Sequence, residues 1–498
     1  MFNVKLQIFS LFIIACVIRL KAAINGGQFF IVDELRYNAG HHLLSFLSDY
    51  NFKGGLEYFL SCTAHTFFTL FSAFAEFIRY LFTLLFIDSS IQAYELNNSR
   101  IGIEFSACIM SLFSALNIFL LYPLTRSIGG NTLQGILSCT LLLFSTTNFY
   151  FSRHLIPYDI SITLSLLGLL LACKFKGNTK TCFLTGVLSS LSTLTYFGYW
   201  PLALVNWICS ILFSSNKLKA SFYCGIGGIA PLILLQILGY TVNLNYLSTV
   251  FEFILATESN QMGDKGVFLS AFFEYMWLSE YLYFIFILFF FLVTLFNSKL
   301  SYLKSLEFGA TGVYISLFIF IVLLISSEVL SSFVLYGRTT KQLIPFLCIA
   351  CSCSLSKVVL HLWSKKRFVI LFSFSLIILL ITSSNQLRVL KIIYPQNFKE
   401  KASLFTDDYQ ELSSIHGIKV KKLEKPSKQK NYTLVNAQWL VPPLDSIKNI
   451  PEGDVLLACP HPYYFFKPYQ FLHYNREQRS LINSQKLSMK LIKRNEEY

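Results

Sequence analysis

Charge is scarce in this sequence. Asp, Glu, Lys and Arg together supply 14% of its 498 residues, whereas a water-soluble domain carries about a quarter. So thin a polar complement cannot cover a soluble surface of this size, which excludes an ordinary globular protein. Acid is scarcer than base: 27 Asp and Glu stand against 41 Lys and Arg, a net charge of +14. No small-residue cleavage site follows the apolar opening segment, where Arg19-Leu20-Lys21 come next. An uncleaved first helix is therefore expected rather than a removed leader. No internal repeat is evident, which counts against transporter folds built from duplicated halves. The 12 cysteines make no disulfide framework or metal motif. Most lie inside apolar blocks, where thiols behave as small hydrophobes. Cys348, Cys351 and Cys353 share one predicted helix, and only Cys62 and Cys459 fall in outer segments.

What the sequence has is hydrophobicity: 54% apolar residues, 16% aromatic, 50 of them Phe. These come in long blocks nearly free of charge, at 4–17, 103–122, 133–151, 160–173, 183–197, 202–213, 226–240, 281–296, 309–325, 343–355 and 368–381. A bilayer helix needs about 20 such residues, and the shorter blocks reach that length with their flanks. The expectation is an all-α polytopic membrane protein of about eleven transmembrane helices, occupying 1–385, with an outer loop at 23–100. After Ser384 polar residues dominate. The stretch 386–498 reads as a small α/β extramembrane domain, helical at 401–415 and 476–494 and extended at 432–440 and 454–459.

The basic residues between blocks fix an orientation. Lys174, Lys176 and Lys180, then Lys217 and Lys219, Lys299 and Lys304, and Lys365-Lys366-Arg367 all fall on one side if the N-terminus is cytoplasmic. Topology thus accounts for the basic charge, and no nucleic-acid partner is implied. The stretch 67–87 is apolar but carries Glu76 and Arg79. Crossing the bilayer there would throw every later basic cluster outside, so it is read as an interfacial or re-entrant helix.

Three polar clusters then share the outer side. The first is Asp33-Glu34-Leu35-Arg36-Tyr37, just after the first helix. The second is Ser152-Arg153-His154-Leu155-Ile156-Pro157-Tyr158-Asp159, and the third Gly337-Arg338-Thr339-Thr340-Lys341. Charges beside a membrane are costly unless they have a task. One task fits them: Arg and Lys hold a lipid-linked phosphate and stabilise the charge it gains on leaving. A carboxylate then takes the proton of an attacking hydroxyl. A phosphate leaves without protonation, so a single base suffices. Asp33 suits the base, and Arg153, Arg338 and Lys341 suit the phosphate. Asp159 either caps the helix starting near Ile160 or joins the active site. Asp33 with Glu34 makes too thin a site to favour a divalent metal, and no cofactor is expected.

The Asp-Glu-x-Arg-Tyr motif after the first helix resembles the first outer loop of GT-C glycosyltransferases. Within them it resembles the protein O-mannosyltransferase and aminoarabinose transferase group, glycosyltransferase family 39 and its neighbours. Ser152 to Asp159, Gly186, Thr195-Tyr196-Phe197-Gly198-Tyr199-Trp200, and Gly337-Arg338 through Leu343-Ile344-Pro345 continue the resemblance over about 1–360. In that group the loop Asp is the proposed base, which implies that role for Asp33 here. Catalytic candidates are therefore Asp33 and Asp159. Substrate-binding candidates are Glu34, Arg36, Tyr37, Arg153, His154, Tyr158, Arg338 and Lys341. The resemblance implies a polyprenyl-phosphate-sugar donor, a lipid, glycan or protein acceptor, and a bacterial inner membrane with site and tail periplasmic. Two departures stand out: Pro157-Tyr158 intervenes before Asp159, and Lys53-Gly54-Gly55-Leu56 replaces a Pro-Pro-Leu pattern. A transporter of lipid-linked or small solutes remains the competing class. It would carry charges buried mid-helix, which the sequence does not display. The third class is a non-catalytic membrane scaffold.

Overall fold

The computed structural model describes residues 4–24, 38–98, 102–175, 178–259, 268–297, 308–328 and 337–367, short pieces of 369–383, and strand residues 432–434 and 455–457. Helix α1 spans Val4–Ile24. Three helices of the first loop follow: α2 Ala39–Ser48, α3 Phe52–Ser61 and α4 Thr66–Phe86. The bundle continues with α5 Glu104–Ser127, α6 Thr132–Phe144, α7 Thr146–Phe151, α8 Tyr158–Phe175, α9 Thr179–Thr195, α10 Trp200–Phe213 and α11 Lys217–Thr241. Then come α12 Tyr246–Ser259, α13 Phe268–Glu280, α14 Leu282–Asn297, α15 Phe308–Glu328, the single turn α16 Gly337–Thr340, and α17 Ile344–Ser364. Among the described residues, seven helical stretches are long and apolar enough to cross a membrane, and four shorter apolar ones accompany them. The chain is a multi-pass membrane protein.

Local sequence explains the boundaries. Asn131 opens α6 with a capping box, its side chain accepting from Gln134 N while the Gln134 side chain accepts from Asn131 N. Asn178 and Asn216 cap α9 and α11 in the same position, each satisfying a donor that the first turn leaves unmade. Pro201 and Pro345 sit in the first turns of α10 and α17, where a missing N–H costs nothing. The block 133–151, expected as one helix, is broken at Ser145. Its extended backbone ends α6, and its hydroxyl accepts from Asn148 N to begin α7.

Helices α1 and α5 run antiparallel. Cys108 lies against the Leu20 carbonyl, while the Phe12 and Phe119 rings meet at 5.8 Å near the other ends. The loop between them therefore leaves and re-enters at the same end of the bundle. Helix α4 has the length of a spanning helix, but α2 and α3, ten residues each, are far too short to bring the chain back across. A single crossing by α4 is thus incompatible with the α1–α5 pairing. Its two charges, however, are not where an interfacial helix would hold them. Glu76 and Arg79 are fully buried, paired at 3.3 Å, with Ser106 donating to Glu76 and Arg79 donating to the Leu96 carbonyl. The expectation that buried mid-helix charge is absent is corrected here. Spacing of three or four places Thr66, Thr69, Ser72, Glu76, Arg79 and Thr83 on one inward stripe, while Leu70, Phe74, Phe77, Leu81 and Leu85 face outward.

At this same end Leu43, Phe59, Leu60, Leu194, Leu235, Val242 and Tyr246 form one apolar cluster. It seats α2 and α3 on the C-terminal ends of α9 and α11. Of the tail, the described residues are strands β1 Tyr432–Leu434 and β2 Val455–Leu457, paired in parallel. They fall within the two stretches expected to be extended. The helices expected at 401–415 and 476–494 lie outside the described residues.

Candidate functional site

The second and third polar clusters meet. Helix α8 starts at Tyr158, so Asp159 stands in its first turn, and the short turns after residue 336 carry Arg338 and Lys341 to it. Lys341 Nζ donates to Asp159 Oδ2 at 2.7 Å. Asn117, from the middle of α5, donates to Asp159 Oδ1 at 3.2 Å and to its carbonyl oxygen at 3.0 Å. Thr163 in turn donates to Asn117 Oδ1 at 2.7 Å, fixing which way that amide points. Asp159 is thus neither a simple cap nor a loose surface carboxylate. It is 4% exposed and its partner Lys341 0% exposed, and each is the counter-ion that makes burial of the other tolerable.

Aromatic packing joins the remaining members. Arg338 Nη1 donates to the Tyr158 hydroxyl at 3.2 Å, and the Tyr199 hydroxyl donates to the Arg338 carbonyl at 2.6 Å. Rings of Tyr158, Tyr196 and Tyr199 contact one another edge-on or tilted at 4.7 to 6.0 Å. Lys341 lies 5.7 Å from the Phe151 ring, and the Arg153 guanidinium 4.7 Å above Tyr150, distances at which a ring face stabilises a cation. Arg153 and His154 are both 1% exposed. Burial, with the charges of Arg153 and Lys341, pushes His154 well below the ordinary histidine range. It is a neutral imidazole near pH 7.

Two side chains that sequence reasoning passed over support this cluster. Glu280 is fully buried and clamps the start of α7, accepting from Ser145 Oγ at 2.8 Å and from the backbone N–H groups of Thr146 and Thr147 at 2.9 and 2.8 Å. That clamp orients Tyr150 and Phe151, and through them Arg153 and Lys341. The run Ser145-Thr146-Thr147-Asn148, a helix start inside an apolar block, was the legible signal. Arg19, in α1, is 0% exposed, with its Nε donating to Ser114 Oγ at 2.8 Å. Ser114 stands one turn before Asn117 on α5, so Arg19 and Asp159 are held from the same face of that helix.

Asp33, Glu34, Arg36 and Tyr37 lie outside the described residues. Among the described residues no group of three His, Cys, Asp or Glu side chains could hold a metal. The cysteines described are free thiols, and Cys459 falls outside. Chemically, the described part of the site presents the buried cations Arg153 and Lys341 and the half-buried Arg338 around the Asp159 carboxylate, with tyrosines as walls. The balance favours an anion. No protein-family model matches this sequence, and no curated protein matches it.

His41 gives this end of the protein an acid sensitivity. It is 5% exposed in α2, and burial, the Arg79 charge and the neighbouring His42 hold it down to about 4. The unfolded chain binds that proton at the ordinary value, so stability present above pH 6.5 is lost as pH falls towards 4. At pH 5 the loss from His41 alone is roughly 2 kcal/mol. The thermal midpoint in detergent is expected to drop from pH 7 to pH 5, and His41→Asn is expected to narrow that drop. An unchanged drop in the variant would remove His41 as a cause.

Proposed function

We propose that this chain is a membrane glycosyltransferase of the GT-C type, using a polyprenyl-phosphate-linked sugar as donor. The observation that carries the reading is the buried ion pair Asp159–Lys341 set beside Arg153 and Arg338. Its cationic excess is suited to a phosphate leaving group. In this reading an acceptor hydroxyl attacks the anomeric carbon while Asp33 takes its proton, and the sugar–phosphate bond breaks with its electrons passing to the phosphate. Attack opposite the leaving group inverts the configuration. Arg338 and Lys341 neutralise the phosphate, and neutral His154 donates or accepts a hydrogen bond without altering charge. Tyr158, with Glu34, Arg36 and Tyr37, lines the sugar or acceptor side. No metal is assigned. The acceptor is a lipid, glycan or protein at the outer face of a bacterial inner membrane. About eleven transmembrane helices and a periplasmic α/β tail belong to the same proposal.

The test is turnover by purified protein over a panel of polyprenyl-phosphate sugars, following release of polyprenyl phosphate. Wild type should release it, and Asp33→Asn should lose activity by about two orders of magnitude or more, as removal of a general base does. Release unchanged in Asp33→Asn would leave a transferase with a different base. A second reading, a transporter of lipid-linked or small solutes, is favoured by one observation, the fully buried Glu76–Arg79 pair within α4. It predicts movement of the same donors across proteoliposomes without release of polyprenyl phosphate.

A further inference from the structure

Arg19 holds a position that packing alone does not explain. It stands little more than one turn before the end of α1, and its partner Ser114 lies one turn before Asn117, the residue that bonds Asp159. Its side chain is fully buried, yet among the described residues only one of its nitrogens makes a hydrogen bond: Nε donates to Ser114 Oγ at 2.8 Å. Nη1 and Nη2 find no hydrogen-bond partner among the described residues. Leaving charged donors unmade in a buried place is expensive, and nearby Asp159 does not relieve it. Its Oδ2 is bonded by Lys341 and its Oδ1 by Asn117. The bond to Ser114 pins the guanidinium on α5 and leaves the forked pair of Nη groups for something else. A planar fork with two parallel donors matches two oxygens of a phosphate, a geometry lysine cannot reproduce.

We propose that Arg19 is a phosphate ligand, its two Nη groups donating to two oxygens of a phosphate group that shares the site with the Lys341–Asp159 pair. The proposal rests on the reading of that site as one that handles phosphate, and it adds the first transmembrane helix to it. Neither the lipid nor the sugar contributes to the recognition assigned here. A polyprenyl phosphate and a free phosphate therefore both satisfy it, and the experiment separates them.

Binding would be measured on the full chain in detergent, with polyprenyl phosphate, inorganic phosphate and uncharged polyprenol as probes, for wild type, Arg19→Gln and Arg19→Lys. Polyprenyl phosphate should bind wild type, with affinity reduced about tenfold or more in Arg19→Gln, the worth of a charged hydrogen bond. Arg19→Lys should fall between, because it keeps charge and loses the fork, and polyprenol binding should not change. Equal affinity of Arg19→Gln and wild type for polyprenyl phosphate would overturn the Arg19 assignment and leave the transferase reading standing. Arg19-dependent binding of inorganic phosphate without binding of polyprenyl phosphate would uphold Arg19 and overturn the lipid-linked donor. No binding of either phosphate by wild type would overturn both. Unfolding midpoints of the variants check that each is folded. If Arg19→Gln cannot be recovered, Arg19→Lys decides, and undiminished affinity there overturns the proposal.

Discussion

Lys341→Met is expected to destabilise the protein by about 3–5 kcal/mol, because it leaves the Asp159 carboxylate buried without its cation. The two side chains are 0% and 5% exposed and meet at 2.7 Å, so water cannot take over the lost partner. Asn117 still donates to Asp159, which bounds the loss from above. Asp159→Asn should also destabilise, now by stranding the Lys341 ammonium. The double variant, with neither charge, should recover most of the stability, as replaced buried pairs do. Thermal unfolding in detergent reads this cycle directly. Function should separate the singles. Asp159→Asn frees Lys341 for an anion and should tighten polyprenyl-phosphate binding, whereas Lys341→Met should weaken it. Identical affinities in both would make the pair a structural bolt with no part in ligand binding.

The second large effect concerns backbone proximity. A β-carbon at Gly186 in α9 would overlap the Cys224 carbonyl oxygen, and one at Gly227 in α11 would overlap the Phe183 carbonyl oxygen. The two helices therefore touch backbone to backbone, the arrangement small residues permit within membranes. Gly186→Leu and Gly227→Leu should each force α9 and α11 apart, at about 3 kcal/mol, the upper range for overpacking. Gly225, two residues from Gly227, has open space where its β-carbon would stand. Gly225→Ala should then be neutral or stabilising by up to about 1 kcal/mol through helix propensity alone. Three unfolding midpoints decide the matter. Equal midpoints for Gly186→Leu and Gly225→Ala would show that the close crossing carries no stability.

The helices were legible because lipid imposes a strong rule: long apolar runs with basic ends become helices. The meeting of Tyr158 and Asp159 with Arg338 and Lys341 was legible for the same reason, since topology put both segments at one end of the bundle. Asp159 was weighed as a cap or a site residue, and that choice turned on a contact 182 residues away, which no local pattern encodes. Ser145 was passed over because a single polar residue in an apolar block looks like noise until its hydroxyl is seen starting a new helix. Glu76 and Arg79 were expected in the interface because sequence counts charge without knowing its neighbour. Their i, i+3 spacing was the missed clue, for it lets each neutralise the other on one face. Arg19 was read only as the end of a leader-like segment. Its burial depends on Ser114, from a helix that the sequence gives no reason to pair with it.

That pairing has a consequence for biosynthesis. Helix α1 leaves the ribosome before α5, for Ser114 lies 95 residues further along the chain. At about 5–20 residues per second the guanidinium spends roughly 5–20 seconds in the membrane before its first partner is made. Arg19 stands close to the end of α1, so a long side chain can reach the headgroups during that wait. The same arginine moved two turns deeper would meet hydrocarbon with no such refuge, at a cost of about 3 kcal/mol to insertion. Its place in α1 answers to the order of synthesis as well as to the finished site.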